Sequence, residues 1–153
     1  MRRLVAAVVA VCVAGASYAQ DNASPLVFTP RWEAEPSGAD YVRLYPREAL
    51  NQNVSGVAVL CCTPRADRGM ACRVGHEWPE GRGFGAASLE AAQRYRLTQT
   101  AYEDYQTHSD TQIRIGVMWA AAVVSEETRN RLFSIDRESG FVCANRAVQA
   151  QPN

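Results

Sequence analysis

The clearest pattern of apolar and polar positions lies between residues 112 and 119. Every second side chain there is apolar, at Ile113, Ile115, Val117 and Trp119. Successive side chains of a β-strand point to opposite faces of a sheet, so this alternation is typical of a strand with one buried face. We therefore predict a half-buried strand in this segment.

A second β-rich region precedes that strand and predicts a hairpin. Apolar and β-branched residues run from 57 to 63, turn-forming residues occupy 64–69, and a returning strand is predicted over 70–76. If Cys62 faces Cys72 across the hairpin, one face of the pair carries Leu60, Cys62, Met70, Cys72 and Val74.

Helical signals lie on both sides of the hairpin. Residues 45–50 place a proline at the first helical position, where its missing N–H costs nothing. From residue 84 or 85 to residue 94, apolar side chains recur at helical spacing. Ser125-Glu126-Glu127 predicts the start of a further helix that extends to about Phe133.

The order of these elements predicts an α+β domain. Its core is a small three-stranded antiparallel sheet, a β-hairpin plus a third strand, packed against two helices, with a C-terminal extension. We divide the chain into a signal peptide at 1–19, an extended leader at 20–44, the folded domain at 45–120 and a partly helical extension at 121–153.

Two segments lack a clear periodic pattern. The leader contains three prolines and is expected to lie extended against the domain, anchored by Phe28 and Trp32. Residues 98–110 are predicted to be a polar connection.

The first nineteen residues have the features of a cleavable signal peptide. Arg2 and Arg3 are followed by an uncharged, Ala- and Val-rich run, and Ser17-Tyr18-Ala19 places small residues at the −3 and −1 positions. An uncleaved membrane anchor is the alternative, but a spanning helix needs roughly 20 apolar residues. Export is therefore predicted.

Export changes the expected role of the cysteines, of which Cys61, Cys62, Cys72 and Cys143 follow the signal peptide. Four cysteines in an oxidising compartment predict two disulfides, with three possible connectivities. Opposed residues of an antiparallel pair lie roughly 4.5–5.5 Å apart between Cα atoms, which suits a disulfide. We favour Cys62–Cys72 with Cys61–Cys143, because a bridge between adjacent cysteines would be strained.

A zinc site is the other arrangement that the sequence allows, with Cys61, Cys62, Cys72 and His76 as its ligands. Adjacent cysteines on a strand point to opposite faces, and the chain has no Cys-x-x-Cys spacing. We therefore predict no metal ligands.

Catalytic and cofactor motifs are weak. Residues 81–86 fit a Gly-x-Gly-x-x-Ala pattern with Glu103 or Asp104 about 20 residues further on, as in dinucleotide-binding proteins. A hairpin strand before the motif leaves no parallel sheet to bind across. His76 and His108 are expected to be exposed. We predict no enzyme, no cofactor and no small-molecule substrate, and the 16 basic and 16 acidic residues indicate no nucleic-acid partner.

The ordered set of segments resembles the C-terminal domain of the TonB energy-transducing proteins of Gram-negative bacteria. Tyr45-Pro46 with Ala49 is similar to the opening helix of that family. Gly56 with the following alternation matches its first strand, Asp67 with a neighbouring glycine its hairpin turn, and residues 70–74 its returning strand.

The second half of the resemblance lies in the next helix. Residues 87–92 followed by Arg94-Tyr95-Arg96-Leu97 resemble an Ala-Ala-Leu helix that ends in an aromatic residue flanked by arginines. Exported family members with a hairpin cysteine pair and a Gly-Phe-Gly helix start are the most similar, through Cys62, Cys72 and Gly83-Phe84-Gly85.

The resemblance implies a periplasmic binding module in TonB-dependent transport. Family members bind a short extended segment of an outer-membrane receptor beside their last strand, which is β-augmentation. The matching edge comprises Gln112, Ile113, Arg114, Ile115, Gly116, Val117, Met118 and Trp119. A homodimer through this edge is also possible. The alternative is a stand-alone exported domain that binds another envelope protein without transducing energy.

Overall fold

The computed structural model describes residues 28–108, 112–121 and 126–138 together with Cys143. The proposed signal peptide and the end of the C-terminal extension lie outside these residues. The described elements are, in chain order, β1 (Trp32–Ala34), α1 (Gly38–Leu44), α2 (Arg47–Asn51), β2 (Gly56–Pro64), β3 (Met70–Trp78), α3 (Phe84–Ala92), β4 (Arg96–Leu97), α4 (Gln99–His108), β5 (Ile113–Trp119) and α5 (Glu126–Glu138).

The predicted three-stranded antiparallel sheet is confirmed, with strand order β3-β2-β5. β2 and β5 pair without interruption from Gly56 opposite Trp119 to Cys62 opposite Ile113. The hairpin register between β2 and β3 shifts after Val59, so Gly75 is an additional residue on β3. This β-bulge separates two regular stretches of pairing, 57–59 with 76–78 and 60–64 with 70–74.

The described part of the leader, from Phe28 to Leu44, is part of the fold and is less extended than the sequence suggests. β1 pairs with β4 in a second, two-stranded sheet. Ser37 caps α1, because its hydroxyl oxygen accepts the Asp40 amide N–H and the Asp40 carboxylate accepts the Ser37 amide N–H in return. The predicted anchors make ring contacts, Phe28 with Tyr105 and Trp32 with Tyr95.

The main core lies on one face of the three-stranded sheet, under α3 and α4. Its largest fully buried side chains are Trp119, Tyr105, Phe84, Leu60 and Leu97. The structure differs from the sequence analysis at α4, where a polar connection was expected. Ala101 and Tyr105 are the buried residues of this helix, and their four-residue spacing places both on one helical face.

The opposite face of β2 is covered by α5. Val57, Val59 and Cys61 point to this side and are buried, as is Leu132 of α5. Cys143 is buried and bonded to Cys61, so this residue also lies against that face of β2. Covering on both faces explains why β2 is a continuous apolar run instead of an alternating one.

Candidate functional site

The candidate strand-docking edge is the outer side of β5. Within the described residues, the ladder partner of β5 is β2 alone, so β5 forms one edge of the sheet. Gln112 immediately precedes the strand, and the other seven residues of the sequence-derived edge form β5 itself. An edge strand presents N–H and C=O groups that an extended segment can pair with.

The core fixes the position of β5 through its odd-numbered residues. Ile113, Ile115, Val117 and Trp119 are all at most 7% exposed. The indole Nε1 of Trp119 donates to Ser88 Oγ of α3 at 2.8 Å. Three further rings surround the indole, those of Tyr41, Tyr45 and Phe84, with centroids 5.5, 5.6 and 6.4 Å away.

Two of the tyrosines around this cluster are partly buried, Tyr45 against Trp119 and Tyr95 against Tyr41. Burial raises the pKa of Tyr45, whose hydroxyl donates to the carbonyl of Val54 at 2.8 Å. Burial raises the pKa of Tyr95, and the contact of its hydroxyl with the Tyr41 hydroxyl at 3.2 Å makes a smaller contribution in the same direction.

The even-numbered residues of β5 point to the other face of the sheet, where Arg114 and Gly116 are exposed and Met118 is half-buried. Gln112 donates to Thr63 Oγ1 at 3.4 Å and accepts from Arg73 at 3.3 Å. Gln112 and Arg114 also make further interactions, so the part of the edge most suited to strand docking is 115–119.

The two sheet edges differ in regularity. β5 has seven successive register pairs, no proline and a single charged residue, Arg114. β3 contains the Gly75 bulge and carries Arg73 and Glu77. Bulges and charges are features that protect natural edges from pairing. β5 is therefore the more receptive edge for a long segment.

The cysteines form the two pairs that the sequence analysis favours, Cys62–Cys72 and Cys61–Cys143, with S–S distances of 2.05 and 1.96 Å. The bridges lie on opposite faces of β2. Two disulfides are typical of a chain in an oxidising compartment. The described residues contain no group of three or more His, Cys, Asp or Glu residues placed to hold a metal ion.

The glycine-rich loop shapes the start of α3. Gly81 and Gly83 have positive φ angles of 70° and 81°, and Gly83 is the N-cap. The amide of Phe84 donates to Glu77 Oε1 at 3.1 Å, so a carboxylate occupies the positive end of this helix. The preceding strand belongs to an antiparallel hairpin, which differs from a dinucleotide-binding unit.

The other residues considered for chemistry are dispersed. His76 is half-buried on β3, and His108 ends α4. Glu103 accepts from Gln99 Nε2 at 2.6 Å along α4, and Asp104 is exposed.

A groove that the sequence analysis did not predict lies between β3 and α3. It is open to solvent and has a volume of about 570 Å³. We call it the β3–α3 groove, and its lining residues are Arg65, Met70, Cys72, Leu89, Ala92 and Gln93. The shared face of Met70 and Cys72 could be read from the hairpin alternation, but the placement of α3 over β3 could not.

In the part of the chain that the structure describes, no helix has both the length and the apolar character needed to cross a membrane. Comparison with protein-family models, with curated proteins and with solved structures gave no match.

Proposed function

We propose that this protein is a periplasmic TonB C-terminal-like binding module that accepts an extended segment of a partner protein along β5. The partner is an outer-membrane receptor segment, and the role is in TonB-dependent transport. The observation that carries the proposal is the regular, seven-pair register of an edge strand whose inner face is fixed by the core.

Strand addition suits a site without catalytic groups. Each backbone hydrogen bond contributes about 0.5–1.5 kcal/mol net, so several are needed for useful affinity. β5 offers them in a row, and the ring contacts and hydrogen bond of Trp119 fix the strand before a partner arrives. A preorganised edge avoids part of the ordering cost of binding.

The order of elements supports the TonB-like reading. The Tyr-Pro segment leads into α2, the hairpin is β2–β3, the Ala-rich helix is α3, and the last strand of the sheet is β5. The strand that family resemblance assigns to partner binding is thus at a sheet edge.

The alternative is a stand-alone envelope domain without a role in energy transduction. This alternative is favoured by the covering of the face of the three-stranded sheet that lies opposite α3. On that face α5 packs against β2, and the Cys61–Cys143 bridge joins Cys143 to the same strand. Both α5 and Cys143 lie outside the segments that resemble the TonB domain.

An NMR titration tests the proposal. The oxidised, isotope-labelled protein is titrated with short peptides from the N-terminal segments of outer-membrane receptors. We expect shifts concentrated in the amides of 115–119, and loss of binding when alternate peptide nitrogens are methylated, because a methylated nitrogen cannot donate to a strand. A folded protein that shows no shift with any receptor peptide would contradict the transport role and favour the stand-alone domain.

A dilution series of the free protein separates peptide binding from self-association. Shifts of the β5 amides that depend on protein concentration, without peptide, would identify a second copy as the occupant of the edge.

A further inference from the structure

Gly116 lies in the middle of β5 and is the residue of this strand that has no side chain. It pairs with Val59 of β2 in a register that runs without interruption, so no β-bulge requires a glycine there. Among the described residues, the glycines with positive φ angles are Gly81 and Gly83, so the backbone at Gly116 suits other residues as well. A glycine inside a strand weakens it, and without a bulge or bend it often marks a place where another chain approaches closely.

The missing side chain leaves a gap on the face of the sheet that carries α5. Arg114, Gly116 and Met118 point to this face, because side chains alternate along a strand. Val59, opposite Gly116, is fully buried, whereas Arg114 and Gly116 are exposed and Met118 is half-buried. The covering of this face therefore ends between β2 and β5. We call the gap over Gly116, between the side chains of Arg114 and Met118, the Gly116 notch.

The notch opens at the edge that a docked segment would occupy. In a strand paired with β5, the residue directly opposite Gly116 points to the same face as the notch, with Cβ positions of opposed residues roughly 4.5–5.5 Å apart. A large side chain at that position meets no side chain from Gly116 and can lie flat over its backbone. Aromatic rings cover edge glycines of β-sheets in this way.

Both walls of the notch suit an aromatic ring. The N–H groups of Arg114 lie in the plane of its guanidinium, so the contacts that it already makes are compatible with a ring stacked on the flat face. The thioether of Met118 makes favourable contacts with rings at about 5 Å. Diagonal neighbours across a strand pair lie about 7–8 Å apart, which aromatic side chains can span. The two walls are about 13 Å apart along the strand, four residue rises.

We propose that the Gly116 notch selects partner segments that place an aromatic residue opposite Gly116 when they pair with β5. This inference rests on the function proposed above and adds the side-chain specificity that backbone pairing lacks. The residues on either side of the ring point to the core face, beside Ile115 and Val117, which are 7% and 3% exposed. The preferred segment is therefore an aromatic residue between two aliphatic residues.

The test compares two capped peptides in NMR titrations of the oxidised, isotope-labelled protein. Both have a lysine at each end for solubility and alternating valine and threonine between them, with either phenylalanine or leucine at the central threonine position. We expect the phenylalanine peptide to bind about fivefold more tightly, which corresponds to about 1 kcal/mol. A ring over Gly116 also shields its α-protons, so their resonances should move upfield with the phenylalanine peptide and not with the leucine peptide.

Gly116→Thr fills the notch with a residue that strands favour. The variant should bind the leucine peptide and lose the fivefold preference for phenylalanine. Ala71→Thr is the matched control, because Ala71 is exposed and pairs with Thr63 on the same face of the sheet, but lies on β3 at the other edge. It should keep the preference. If Gly116→Thr does not fold, the two peptides and the Gly116 α-proton shifts of the unmodified protein still decide the question.

The outcomes separate this inference from the function on which it rests. Equal affinities of the two peptides, with amide shifts over 115–119, would overturn the aromatic preference and leave strand docking at β5 intact. The same preference in Gly116→Thr as in the unmodified protein would show that the ring lies elsewhere and would also overturn it. The absence of shifts in β5 with both peptides would contradict the docking function and the notch together.

Discussion

Trp119 at the end of β5 and Ser88 in the middle of α3 share a buried hydrogen bond of 2.8 Å, donated by the indole N–H to the serine oxygen. Ser88 is the buried polar residue of the described core, at 0% exposure, and Trp119 is 1% exposed. The pair joins the candidate docking strand to the helix that also forms the β3–α3 groove. It therefore fixes the last strand of the sheet to α3.

Replacing Ser88 with alanine should destabilise the fold. The indole N–H would remain buried without an acceptor, and an unsatisfied buried donor costs about 1–3 kcal/mol. Urea denaturation of the two proteins measures the difference. In a Trp119→Phe background the same Ser88→Ala change should cost much less, and an equal cost in both backgrounds would show that the hydrogen bond is not the cause.

Gly56 should not tolerate a side chain. A Cβ atom there would lie 2.3 Å from the Phe84 ring and 2.7 Å from the carbonyl oxygen of Trp78. Overpacking of this kind costs typically about 1–3 kcal/mol, and a clash with backbone places Gly56→Ala at or above the upper end. Thermal unfolding followed by circular dichroism measures the loss.

Gly38→Ala provides the matched control for Gly56. No atom lies within 4 Å of a Cβ at Gly38, the first residue of α1. Alanine is favoured over glycine in a helix, so this variant should be neutral or stabilised by up to about 1 kcal/mol. A similar loss of stability in both alanine variants would contradict the packing argument.

The sequence predicts those elements whose periodic pattern extends over several residues. The strand at 113–119 and the hairpin are found because their apolar positions alternate. β1 and β4 have three and two residues and pair across more than sixty positions of the chain, so no local pattern reveals them. α4 is missed because two core contacts, Ala101 and Tyr105, are sufficient to attach a polar helix.

The β5 edge and the β3–α3 groove also differ in how far the sequence reveals them. The residues of the β5 edge are readable as a strand, and their role as a partner site rests on the proposed likeness to the TonB domain. The β3–α3 groove depends on the side of α3 that faces β3, which Gly85 permits by bringing the helix close to Glu77 and Val74. A helix periodicity shows which residues are apolar, but not which strand they cover.

The two disulfides should contribute unequally to stability. Their sequence separations are 82 and 10 residues for Cys61–Cys143 and Cys62–Cys72. The chain-entropy relation gives about 4.5 kcal/mol for the longer loop and about 2.8 kcal/mol for the shorter one. Paired alanine substitutions, Cys61→Ala with Cys143→Ala and Cys62→Ala with Cys72→Ala, allow the comparison by denaturation. A larger loss for the Cys62–Cys72 pair would contradict the prediction.

Asp40 should make the stability of the leader depend on acid pH. The hydrogen bonds from Ser37 hold the pKa of Asp40 below its ordinary value of 3.8, with smaller contributions from Arg94 and Arg43. A lowered folded-state pKa stabilises the fold above the unfolded-state value, and this contribution is lost as pH falls through the folded-state value. The melting temperature should therefore decline below about pH 4.

Asp40→Asn tests this cause, because the amide keeps an oxygen acceptor for Ser37 and removes the charge. The melting temperatures of the variant and the unmodified protein should differ at pH 7 and converge between about pH 5 and pH 2. A difference that stays constant across this range would exclude titration of Asp40 as its origin.

Hydrogen exchange of the free protein should distinguish an accessible β5 edge from a covered one. β2 is the central strand and pairs on both sides, so its amides should exchange slowly throughout. In β5, alternate amides point toward β2 and the others point away from it, because antiparallel pairing uses every second residue on each side. Over 115–119 we therefore expect slow and fast exchange to alternate.

Addition of a receptor peptide that binds β5 should slow the exchange of the fast amides and leave that of the slow amides unchanged. Uniformly slow exchange of β5 before any peptide is added would mean that the edge is already paired, which would contradict strand docking there and favour the stand-alone domain.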